Sequence, residues 1–160
     1  MEIISILIIL TVSLFLFTTG SERKKISSKN KLIVNHLVEE ANKYLTMIST
    51  AKTVNSKINH YDKALIVLKK AGEYPECKHI IANYDQMIER IKRTKKILPV
   101  EEHLSRAQKY SDKSALEKRS LLSALYEIRT RNITDKDFQI AGLKDDVTGE
   151  VVTIGRIKTW

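Results

Sequence analysis

The chain has 160 residues, a formal net charge of +9 and 42% hydrophobic residues. That is enough for one modest core, and it excludes a long disordered or low-complexity chain. A single cysteine excludes a disulfide framework, and 2 Pro with 5 Gly favour long helices over many short strands. The surplus of Lys and Arg suits phosphate-bearing partners, either anionic lipid or nucleic acid.

Ile3 to Thr18 reads IISILIILTVSLFLFT, without a charge. Extended through Thr19 it would span about 26 Å as a helix, near the lower limit for crossing a bilayer. Glu2 ahead of it and Thr18-Thr19-Gly20 behind it fit a cleaved signal peptide poorly. The expectation is therefore a transmembrane anchor over residues 1–20. The alternative is an exported helical protein that has lost this segment. Arg23, Lys24, Lys25, Lys29 and Lys31 follow, against Glu22 alone. The positive-inside rule then makes this a single-pass protein of the cell membrane with its C-terminal domain in the cytoplasm. The same five cations, in a basic linker over 21–31, are candidate contacts to anionic lipid at the membrane surface.

Residues 32–131 read as one helical domain. Ser27-Ser28 can cap a helix running to about Lys52, with Ile33, Leu37, Ala41, Tyr44, Leu45, Ile48 and Ala51 on one face. Leu32, Val34, Val38 and Met47 widen that face. A second helix from about Ser56 carries Ile58, Tyr61, Ala64, Leu65, Leu68 and Ala71, and stops at Gly72. Pro75 suits the first turn of a third, which extends to about Ile97 and pairs with the second as an antiparallel hairpin. Pro99 opens a further segment. Ser114-Ala115-Leu116-Glu117 is a capping box, which starts a helix with Leu121, Leu122, Leu125 and Ile128 inward and an end near Thr130. The stretches from Ala51 and Ala107 correspond loosely, so the helices form a bundle or a short tetratricopeptide-like stack. The defining small and aromatic positions of that repeat are missing.

Residues 132–160 change character. Asn132-Ile133-Thr134-Asp135-Lys136-Asp137-Phe138, after the Leu122/Leu125/Ile128 face, resembles the end of the short C-terminal (SHOCT-type) helical module, in which a leucine-rich helix leads into an Ile-Thr-acid-x-acid-Phe turn. The resemblance covers fewer than thirty residues and stops at Phe138, where Gln139-Ile140-Ala141-Gly142 replaces the expected second helix. Val151-Val152-Thr153-Ile154 is β-branched and predicts a small hairpin with Gln139 to Leu143 as partner. Trp160 is a candidate docking anchor.

Chemistry-bearing motifs are scarce. His36, His60, His79 and His103 are scattered, Cys77 has no identifiable base, and neither phosphate-cradling glycine loop occurs. Asp135-x-Asp137 lacks the rest of a calcium loop and is better read as helix capping. The expectation is no catalytic, cofactor-binding or metal-binding residue. Arg90, Lys92, Arg93, Lys95 and Lys96 form the strongest charged cluster and are candidate contacts to phosphate or to a partner. The sequence thus describes an all-α, membrane-anchored, non-enzymatic adaptor or regulatory subunit, with a protein partner at the membrane. The alternatives are the exported helical protein and a basic module binding anionic lipid or nucleic acid. Nucleic acid is disfavoured because no reader helix or aromatic sheet stands out.

Overall fold

A computed structural model describes residues 28–110, 114–145 and 148–159. Among them the chain is all-α: α1 Ser28–Thr50, α2 Val54–Gly72, α3 Cys77–Ile80, α4 Tyr84–Lys109, α5 Ser114–Thr130, α6 Asp135–Ala141 and α7 Ile154–Thr159. The membrane expectation is corrected. Among the described residues no helix is long and apolar enough to cross a bilayer. The apolar run 3–18, on which the anchor and the cytoplasmic orientation rested, lies outside them. The chain divides into two compact units, Met1–Glu89 and Arg90–Trp160, and α4 contributes to both.

In the first unit α1 packs on α2 across the short link Ala51, Lys52, Thr53. The Thr53 hydroxyl accepts the Ser56 N–H at 3.1 Å and so caps α2. The buried stripe of α1 is Val34, Val38, Ala41, Leu45 and Ile48, an alternation of four and three that keeps one face inward. Leu32 and Met47, expected to widen that face, point outward. Facing the stripe, α2 buries Tyr61, Ala64, Leu65, Val67, Leu68 and Ala71. Lys63 Nζ sits 5.8 Å from the centre of the Tyr44 ring.

The expected continuous helix from Pro75 to Ile97 is broken. Ile81 is extended, and Asn83 adopts φ 56°, a left-handed conformation that asparagine tolerates better than most residues. Its carbonyl accepts the Met87 N–H at 3.0 Å, which starts α4. Tyr84 then donates its hydroxyl to the Leu68 carbonyl at 2.7 Å. The packed hairpin of this unit is accordingly α1 with α2, not the second helix with the third.

The second unit has one core, drawn from α4 (Ile97, Val100, Leu104, Ala107), α5 (Leu121, Ala124, Ile128), α6 (Phe138, Ala141), and Ile133, Leu143, Val152 and Ile157. Pro99 does not open a new segment; α4 runs through it. A proline inside a helix costs about 3 kcal/mol, chiefly through one missing donor and a clash with the preceding turn. Ile97, Leu98, Val100 and Leu104 on either side are all buried, and burying each such side chain contributes about 1.5–3 kcal/mol. The packing outweighs the break.

The predicted β-hairpin is also corrected. No strand occurs among the described residues, and Lys144 and Val151 form a single antiparallel bridge. Capping residues won over β-branched composition at both ends. Thr134 and Asp137 seed α6, which takes Gln139 and Ile140 into a helix. Thr153 accepts the Arg156 N–H at 3.3 Å and brings Ile154 into α7.

Candidate functional site

Two arrangements in the second unit bear on function. The first is a buried ion cluster on α6. Asp137 sits in the first turn and is 0% exposed. Its carboxylate accepts the Thr134 N–H at 2.8 Å and the Thr134 hydroxyl at 3.1 Å, and Arg93 and Lys96 reach it from α4, Lys96 at 3.1 Å. Burial alone would raise this carboxyl. The Thr134 amide, the two cations and the Thr134 hydroxyl together hold it down at about 2. Lys96 also donates to the Asn132 carbonyl at 2.9 Å, tying α4 to the turn that ends α5.

This cluster divides the basic run of α4. Arg93 and Lys96 face Asp137, Lys92 is exposed, and Arg90 and Lys95 are half-buried. The Arg90 Nε is buried without a hydrogen-bond partner among the described residues. Of the other expected site residues, Lys29 and Lys31 are exposed on the first turn of α1. Arg23, Lys24, Lys25 and Trp160 lie outside the described residues.

The second arrangement is the outward face of α5. Leu122 is 58% and Tyr126 66% exposed, one turn apart. Leu122 had been expected inward. The core instead takes Leu121, Ala124 and Ile128 from this helix, with Leu125 packed at its edge. At about 100° per residue, Ala115, Lys118, Arg119, Tyr126 and Arg129 fall within about 60° of Leu122. Ala115 and the three cations are exposed. No ion pair joins those cations to an acid among the described residues. The acids of α5 lie elsewhere, Glu127 pairing with Arg131 at 2.6 Å. The signal was present in the sequence as the spacing 115-119-122-126-129, but it competes with the adjacent Leu121 stripe. The cations decide between the two registers, because a face centred on Leu122 would turn Lys118, Arg119 and Arg129 inward, while the Leu121 stripe takes the small Ala124 and Ile128.

Elsewhere the chemistry is quiet. Cys77 is fully buried, and burial, then Asp85, push its thiol up against a smaller opposing effect of Lys78. Its neighbour Tyr84 is shifted upward as well, first by burial. Among the described residues no group of three or more His, Cys, Asp or Glu is placed to hold a metal ion. Compared with known proteins, the chain matches no family model, no curated protein and no solved structure.

Proposed function

We propose that this chain is a non-enzymatic interaction module, an adaptor or regulatory subunit that recruits a protein partner through the outward face of α5. The observation that carries this reading is the Leu122–Tyr126 pair, exposed one turn apart on a helix whose opposite face holds the core. A tyrosine and a leucine in that position leave apolar area in water that a partner can remove, and tyrosine is among the residues that dominate binding energy at interfaces. A helix face of this kind is read by a partner at positions three and four apart. The reading in which the α4 cations grip phosphate has less support, because Arg93 and Lys96 already neutralise Asp137.

The test is photo-crosslinking in cells that make the full chain, with a benzophenone side chain at position 122, 126 or, as a control on α7, 158. A discrete product with one protein from 122 and 126, absent from 158, is expected. Equal labelling at all three positions, or none at 122 and 126, would remove the proposal.

A further inference from the structure

We infer that the occupant of the α5 face is an acidic amphipathic helix of a partner protein. This inference rests on the reading of that face as a protein-binding surface. The face carries Lys118, Arg119 and Arg129 around Leu122 and Tyr126, and no acid lies within it. From Ala115 to Arg129 it is about 21 Å long at 1.5 Å per residue, which matches a partner helix of about four turns. Such a helix would place apolar side chains against Leu122 and Tyr126 and Asp or Glu on its flanks against the three cations. Opposed charges steer the encounter and fix the register of the pair.

Other occupants fit less well. A second copy meeting this face by two-fold symmetry would set cations against cations, because an isologous contact pairs a surface with itself. A lipid surface wants a broad apolar face with cations at its margins. Here the broad apolar face of α5 is spent on the core, and Leu122 and Tyr126 are the large apolar side chains that project from its outward face; the exposed Leu116 lies about 120° round the helix and does not widen it.

The experiment is selection of a displayed random-peptide library on the full chain, followed by titration of the enriched peptides against variants. The substituted positions are exposed, so unchanged helicity by circular dichroism serves as the folding control. Enriched peptides should carry Asp or Glu flanking apolar residues at three-and-four spacing. They should lose about tenfold or more in affinity against Leu122→Ser/Tyr126→Ser, and as much against Lys118→Glu/Arg119→Glu/Arg129→Glu. The second variant should in turn select basic peptides. Peptides that depend on Leu122 and Tyr126 but are neutral or basic would overturn the acidic partner and leave the binding face standing. Peptides indifferent to Leu122 and Tyr126 would overturn both. Sedimentation with phosphatidylserine vesicles that is abolished by the triple Glu substitution would overturn the inference in favour of a lipid surface.

Discussion

Gly72 ends α2 beside the Tyr84 ring, and a Cβ built there would lie 2.5 Å from the Tyr84 hydroxyl oxygen and 2.9 Å from Cζ. In an open helix, Gly→Ala would stabilise by up to about 1 kcal/mol. Here the ring cannot retreat without giving up its hydrogen bond to Leu68. Gly72→Ala should therefore destabilise, by about 1–2 kcal/mol in urea denaturation. Tyr84→Phe should cost about 1 kcal/mol. The two effects should be less than additive, since both remove the same bond; strict additivity would show that the cost of Gly72→Ala does not arise through the Tyr84 hydroxyl. Asp137 is a second residue whose worth comes from its surroundings. Its carboxyl is depressed to about 2 in the fold and titrates near 3.9 when unfolded. The stabilisation is fully present above about pH 4 and is lost as pH falls toward 2, to a total of about 2 kcal/mol. Asp137→Asn should lower stability by about 2–3 kcal/mol at pH 7, because Arg93 and Lys96 keep their charge and lose the buried carboxylate that both face. It should also flatten the loss of stability between pH 4 and 2. An unchanged acid limb in that variant would mean that other carboxylates govern acid unfolding.

The ends of α5 and α6 are closed in the same way. Asn132 and Gly142 are left-handed, and Ile133 and Leu143 donate back to the carbonyls of Ile128 and Phe138 at 2.9 and 3.1 Å. In each pair both side chains are buried, so the turn also adds to the core. At Gly142 the nearest atom to an added Cβ is an Arg90 nitrogen at 3.7 Å, so space is not the obstacle. Gly142→Ala should cost about 1 kcal/mol from the backbone alone, whereas Asn132→Gly should be neutral or slightly stabilising. Equal losses from both would point to a lost Asn132 side-chain contact. Helix ends of this kind explain how much of the fold could be read in advance. The spans of α1, α2 and α5 followed from apolar spacing together with capping residues and Gly72, all encoded locally. The break at Ile81–Asn83 and the passage of α4 through Pro99 were not legible, because both depend on what packs around them. The inward face of α5 was misread at Leu122 for a different reason: one broad stripe was drawn through Leu121 and Leu122, although a face centred on Leu122 also turns Lys118, Arg119 and Arg129 inward. At the ion cluster the Thr134 cap was legible as a local motif. Its charge partners were not, since Arg93 and Lys96 lie some forty residues away along the chain.

At the scale of the whole molecule, 28 Lys and Arg stand against 19 Asp and Glu. Two effects of salt then oppose each other. Screening weakens exposed pairs such as Arg106–Glu102 and Arg131–Glu127, but helix pairs of this type contribute only about 0.3–0.5 kcal/mol each. Screening also relieves the mutual repulsion of nine uncompensated positive charges, which disfavours the compact state. The surplus is spread over the chain, and at about 0.1 M salt the screening length is roughly 10 Å, short enough to suppress most of that repulsion. Repulsion should therefore decide the sign. The thermal midpoint at pH 7 should rise by a few degrees between about 20 and 300 mM sodium chloride. It should rise further at pH 4.5, where ordinary carboxylates begin to protonate and the surplus grows. The Asp137 cluster is buried and screened far less, so Asp137→Asn should start from a lower midpoint and show the same salt increment. A midpoint that falls with salt would mean that surface pairing outweighs net charge. A salt increment that disappears in Asp137→Asn would mean that the ion cluster, not the surplus charge, is the source of the effect.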